Sequence, residues 1–291
     1  MIIILKKEAA ESQVNGLISL LESKNIQPHV SRGSMQTIVG CVGDVSRLDP
    51  GILEALDGVE SEEQIVAIAK SVKASGATML RGGAFKPRTS PYAFQGLGKV
   101  GLDMLLTAKR ETGLPIVTEL MDFKDIELFN DVDVIQIGAR NMQNFNLLKE
   151  VGSYTKKPIL LKRGMSATIQ ELLMSAEYVM ASGNENVMLC ERGIRTFETA
   201  LRNTLDLGVV TLLHRLSHLP VVVDPSHATG HAWMVDSVSV AATAIGADGL
   251  IIEVHNDPPH ARCDGAQSQT PEMFAGTMRK IAALRKSLFN A

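Results

Sequence analysis

The sequence predicts an α/β protein built on a (β/α)8 (TIM) barrel, with a small α+β module of ferredoxin-like or ACT-like order in front of it. From Gly76 onward one unit repeats: a short run rich in Val, Ile and Leu, a charged or glycine-containing segment, then a helical stretch. The apolar runs do not alternate with polar residues, which suits parallel strands buried on both faces. Seven such runs suit a barrel better than an open doubly wound sheet, and no GxGxxG opens a helix to suggest a dinucleotide-binding sheet.

The first residues read differently. IIIL (2–5) reads as a strand and Glu11–Asn25 as a helix. Ile26–Ser31 and Gln36–Val42 read as two more strands, and Pro50–Leu56 as a short helix. That β-α-β-β-α order is most of a ferredoxin-like module. Glu62–Ser75 reads as the helix before the first clear barrel strand, so the boundary falls near Val59 and divides the chain into 1–58 and 59–291. The barrel runs are 77–83, 114–120, 132–138, 158–164, 186–193, 219–225 and 248–255. The helices expected between them include Leu97–Thr112, Ala167–Ser182, Thr196–Leu205 and Trp233–Gly246.

Composition narrows the function classes. Apolar residues make up 45% and charged residues 21%, as in ordinary folded domains. A net charge of −3 argues against a general nucleic-acid binder. Cys41, Cys190 and Cys263 give neither a disulfide framework nor a paired-cysteine zinc spacing, and a reducing cytosol fits them. MIIILKKEAA lacks the charged leading region of a signal peptide. No apolar stretch reaches the roughly 18 residues of a membrane span.

Barrel active sites sit at the C-terminal ends of the strands. The early strand ends supply cations: Arg81, Lys86 and Arg88, then Arg140, then Lys162 and Arg163, then Arg192 and Arg195. Glu119 and Glu191 lie among them. The last strand ends, and the loop beyond, supply Asp224, His227, Glu253, His255 and Asp264. A ring of cations around one cavity repels itself unless anions fill it. Arg suits planar, bidentate contact with phosphate or carboxylate, and Lys a point contact. The ring therefore asks for substrates carrying several negative charges. His227, Glu253 and Asp264 are a candidate set of metal ligands for a divalent ion such as Mn, Fe, Co or Zn. His255 reads equally as a group behind those ligands and as a loop residue. Cys190 and the methionines at 165, 174 and 180 read as packing.

The motifs LRGGAFKPRTSPY, QIGARNMQN, LLKRG, LCERGIRTFE, VDPSHATGH, EVH and DGAQSQTP, in this order, resemble 3-deoxy-D-arabino-heptulosonate 7-phosphate (DAHP) synthase. The nearest likeness is to the subfamily with a short N-terminal regulatory domain, and it spans nearly the whole chain. The resemblance implies condensation of phosphoenolpyruvate with erythrose 4-phosphate to DAHP and phosphate, at the entry to aromatic amino-acid synthesis. It implies that Arg81, Lys86, Arg140, Lys162 and Arg192 hold phosphoenolpyruvate. Pro87, Arg88, Thr89 and Asp264 take erythrose 4-phosphate, and His227, Glu253 and Asp264 take the divalent metal. Lys162, Arg81 and His227 are the implied catalytic groups, with Lys162 serving as an acid or stabilising charge. A cytoplasmic homodimer or homotetramer is implied as well. The sister reaction, 3-deoxy-8-phosphooctulonate synthesis from arabinose 5-phosphate, usually goes with Lys-Ala-Asn-Arg where this chain has Lys86-Pro87-Arg88-Thr89.

The chain departs from the family at one place. The family's Gly-Pro-Cys-Ser segment, at the end of the first barrel strand, supplies a Cys ligand to the metal, and it has no match here. Leu56-Asp57-Gly58 stands where that strand is expected. The last strand of the small domain, the linker and the first barrel strand are therefore expected to be missing. Seven strands leave two unpaired edges, and the metal keeps three protein ligands. Thr37–Cys41 is a lesser alternative occupant of the vacant place, because the same segment fits the small domain well. A catalytically impaired relative that binds anionic ligands or partners is the second reading.

Overall fold

The structure is a computed structural model that describes residues 2–4, 14, 17–19, 21–22, 26–32, 37–42, 62–88 and 94–289. The expected helix at Pro50–Leu56, most of the ends of the one at Glu11–Asn25, the boundary at Val59, and Thr89 lie outside the described residues. The chain divides into two compact units, Met1–Glu60 and Ser61–Ala291.

In the first unit, strands β1 (Ile2–Ile4), β2 (Gln27–Arg32) and β3 (Thr37–Val42) form an antiparallel sheet in the order β1-β3-β2. Val14, Leu17 and Leu21 are helical and buried, and their spacing places them on one helix face. This is the expected ferredoxin-like order. β3 is paired on both sides, Ile3 with Val39 and Pro28 with Cys41. Cys41 therefore belongs to the small sheet, and the alternative that put it in the vacant barrel place is not realised.

The second unit is a parallel sheet of seven strands in simple sequence order. They are β4 (Leu80–Arg81), β5 (Ile116–Glu119), β6 (Val134–Ile137), β7 (Ile159–Lys162), β8 (Val187–Glu191), β9 (Val221–Val223) and β10 (Gly249–Leu250). Every expected barrel run contains one of them. β5, β6 and β7 are buried throughout, which is why their sequences carry no alternation. Val117, Val134, Leu160 and Cys190 form a small cluster of their own, apart from the large cluster that joins the strands to the helices. Burial pushes the Cys190 thiol up to about 12, so it packs as an inert apolar group.

The helices are α1 (Glu62–Ala74), α2 (Lys99–Thr112), α3 (Phe145–Tyr154), α4 (Ile169–Ala181), α5 (Gly208–Leu216), α6 (Pro225–Thr229), α7 (Ala232–Ala244) and α8 (Pro271–Phe289). α4 starts at a capping box, Thr168 with Glu171. One expectation is overturned. Thr196–Leu205 is not a helix; the helix of that unit is α5. The backbone donors of Arg202 and Asn203 are spent on the carbonyls of Thr229 and Ala228, and Ile194 bridges Thr204. These tertiary partners outcompete the local helical pattern.

Among the described residues the sheet does not close. Its two edge strands span two residues each, against four or five in the interior strands β5 to β8. Met79, beside β4, is 46% exposed, and residues 249–255 are only half-buried. α1 nevertheless packs against α2 on one side and α8 on the other. The helical layer is thus continuous where the sheet is open, as expected of a barrel short of its first strand. No described helix is long and apolar enough to cross a membrane.

Candidate functional site

The C-terminal strand ends surround a cavity of about 250 Å³. Arg81, Lys86, Arg88, Arg140, Arg192, Arg195 and Arg202 line it, with Glu119 and Asp264 as the carboxylates in its wall among the described residues. Pro87, Asn203, Met165 and His227 complete the lining. Seven cations against two acids make the cavity an anion receptor. Arg192 is 5% exposed, and its guanidinium donates to the Gly193 carbonyl. Burial lowers its proton affinity, but Asp224 and Glu191 nearby counter that.

Arg81 is held at one wall by a triangle of groups. Its Nε donates to Gln136 Oε1 at 3.2 Å, and Gln136 Nε2 donates to Glu119 Oε2 at 3.0 Å. The Glu119 carboxylate lies 3.6 Å from the Arg81 guanidinium, and its buried Oε1 has no hydrogen-bond partner among the described residues. Gly138 makes room for it: a Cβ there would stand 1.8 Å from Glu119 Oε1. Lys86 Nζ lies against Cys263 Sγ at 2.5 Å, and Arg88 Nη1 lies 3.9 Å from Asp264 Oδ2.

Lys162 is 4% exposed and is not among the residues that line the cavity. Its Nζ donates to Asp224 Oδ2 at 2.5 Å, and the same oxygen lies 2.8 Å from His227 Nδ1. That second approach is a close contact without the alignment of a hydrogen bond. Burial by itself would raise the Asp224 carboxyl, but His227 and Lys162 hold it well below the usual carboxylate range. Its other oxygen caps α6 by accepting from the His227 backbone N–H. Asp224 thus couples Lys162 to His227.

His227, Glu253 and Asp264 converge, with one ligand atom of each within 4.8 Å of the others. His227 Nε2 is 3.4 Å from Glu253 Oε1. An imidazole and two carboxylates gathered this closely are the donor types that a divalent metal takes, so the set fits one. Asp264 pays a backbone cost to be there, being the sole non-glycine residue at positive φ (57°) among the described residues. No cysteine joins the cluster among the described residues.

Some strand-end charges point elsewhere. Arg163 is buried against Glu191 Oε2 at 2.9 Å and the Ala167 carbonyl, a pair that neutralises itself away from the cavity. His255 Nδ1 accepts from the Asp257 N–H, and its Nε2 faces Gln64, so it is a loop residue. Gln136, Arg202, Asn203 and Gln267 contribute to the site without having been expected there.

The DAHP synthetase I family profile matches residues 57–288, and that of the DAHP synthase ferredoxin-like domain residues 1–70. The chain belongs to the DAHP synthetase I family. Within it, the chain is 40% identical to a phospho-2-dehydro-3-deoxyheptonate aldolase of Thermotoga maritima, covering 99% of this chain and 98% of the relative. A crystal structure of a Thermotoga maritima DAHP synthase matches with a TM-score of 0.76 at 39% identity, over 99% of this chain and 97% of that one. A truncated form of the Thermotoga maritima synthase matches with a TM-score of 0.73 at 45% identity, over 79% of this chain and 84% of that one. A 2-dehydro-3-deoxyphosphooctonate aldolase of Syntrophotalea carbinolica is 31% identical, over 78% of this chain and 87% of the relative. The first alignment runs over 334 residues although this chain has 291, so the relative carries residues with no counterpart here.

Proposed function

We propose that this chain is a metal-dependent DAHP synthase, joining phosphoenolpyruvate to erythrose 4-phosphate with release of phosphate, in the aromatic amino-acid pathway. The observation that carries the reading is the seven-cation cavity set beside the His227–Glu253–Asp264 cluster. Phosphoenolpyruvate takes Arg81, Lys86, Arg140, Lys162 and Arg192. Erythrose 4-phosphate takes Pro87, Arg88 and Thr89 at its phosphate end, with Asp264 near its other end. His227, Glu253 and Asp264 hold the metal, of the Mn, Fe, Co or Zn class. When bound, a divalent metal supplies Lewis-acid polarisation of the aldehyde oxygen.

C3 of phosphoenolpyruvate forms the new bond to the aldehyde carbon, whose oxygen takes up a proton. Water adds at C2, where positive charge develops. The resulting hemiketal expels phosphate and leaves the ketone of DAHP. Arg140 and Arg192 neutralise the phosphoenolpyruvate charge, and Arg81 is aimed by Gln136 and Glu119. Lys162, anchored on Asp224, gives or withholds the proton on the C2 side. Fixing both substrates in one cavity contributes much of the rate.

The working form is a cytoplasmic homodimer or homotetramer; the two open sheet edges favour association. Pro87 in the cavity wall and the higher identity to the heptonate aldolase support erythrose 4-phosphate over arabinose 5-phosphate. Mass spectrometry of reactions given each aldose with phosphoenolpyruvate and Mn²⁺ tests this. The heptulosonate phosphate is the expected product. An octulosonate phosphate from arabinose 5-phosphate, without product from erythrose 4-phosphate, would assign the sister reaction.

A further inference from the structure

The three metal-ligand candidates sit on three different segments, and a short chain of hydrogen bonds from Arg202, Asn203 and Gln267 links them. Arg202 Nη1 donates to Asp264 Oδ1 at 2.8 Å and to Gln267 Oε1 at 2.5 Å. Gln267 Nε2 donates onward to Glu253 Oε2 at 2.9 Å. The Arg202 backbone N–H donates to the Thr229 carbonyl, at the end of the helix that carries His227, and Asn203 Nδ2 donates to the His227 carbonyl. Gly230 lies under this arm: a Cβ there would stand 2.7 Å from Arg202 Cβ.

We propose that Arg202 and Gln267 are positioning residues that hold the Asp264 and Glu253 carboxylates in a single-oxygen geometry for the metal. Each brace occupies one oxygen. Asp264 keeps Oδ2 and Glu253 keeps Oε1, the oxygen already facing His227 Nε2. The inference rests on reading His227, Glu253 and Asp264 as the metal site. Its weight comes from the composition of that site. Three donors without a thiolate bind an ion less firmly than four, so the entropy of ordering two flexible carboxylates counts for more here. Gln267 is 2% exposed, and both ends of its buried amide are hydrogen-bonded to charged groups.

The test is a Mn²⁺ titration of the full chain, wild type against Gln267→Leu, Arg202→Met and Arg202→Lys, reading free Mn²⁺ by electron paramagnetic resonance. The metal-free melting temperature is recorded alongside. Gln267→Leu and Arg202→Met should weaken Mn²⁺ binding about 10–100-fold, and Arg202→Lys, which keeps one donor, should recover part of the loss. Should Gln267→Leu fail to fold, the Arg202 pair carries the test, because that side chain is 38% exposed. Variants that fold and bind Mn²⁺ within about two-fold of wild type would overturn the braces while leaving the metal site standing. A wild type that binds no Mn²⁺ would overturn both.

Discussion

Replacing Lys162 with methionine is expected to lower turnover by about 10²–10⁴-fold, the range for loss of a positioned proton donor. The side chain is almost wholly buried and its ammonium is spent on Asp224, whose carboxylate also faces His227. Methionine fills the volume and leaves Asp224 with His227 alone. The variant should also lose stability, by up to about 3–5 kcal/mol if His227 compensates poorly for the buried carboxylate. Steady-state phosphate release gives the first quantity and denaturant unfolding the second. A variant that is destabilised yet turns over at the wild-type rate would make Lys162 a structural partner of Asp224 and nothing more.

Arg192→Met is expected to do the opposite to stability. Arg192 is a buried guanidinium whose hydrogen bond, among the described residues, is to one carbonyl, and its burial disfavours the charge. Such a group is costly in the empty protein and is repaid only when an anion arrives. Methionine should therefore leave the melting temperature of the metal-free, substrate-free protein unchanged or higher. The KM for phosphoenolpyruvate should rise about 10²–10³-fold, as truncating one side of a buried charge pair costs roughly 2–5 kcal/mol. Parallel thermal melts and kinetics measure both. A lower melting temperature with an unchanged KM would place Arg192 in the scaffold.

The strands were legible because parallel strands buried on both faces leave unbroken apolar runs, and each of the seven runs contains its strand. Their ends were legible as charge, and the cavity gathers Arg81, Lys86, Arg88, Arg140 and Arg192. Side-chain direction was harder to read. Lys162 and Arg163 are neighbours, and one points to Asp224 while the other turns to Glu191. Alternation along a strand predicts that they face opposite ways but not which faces the cavity. Thr196–Leu205 misled because its backbone partners lie on α6 and Ile194, contacts that no local pattern encodes. Arg202 and Gln267 escaped notice for the same reason: they come from loops, where residue spacing carries no period. Gln136 lies inside a strand run that reads as apolar, and only its pairing with Arg81 and Glu119 shows its use.

The central claim is that this chain, with a seven-stranded sheet and three candidate metal donors among its described residues, couples two phosphorylated substrates. The most direct measurement is phosphate release from phosphoenolpyruvate by the full chain, with and without erythrose 4-phosphate, in Mn²⁺ and in EDTA. Release that requires both the aldose and Mn²⁺ is the predicted result. Release without the aldose, release undiminished in EDTA, or no release under any of the four conditions would contradict it, the last leaving a relative that binds anions without turning them over.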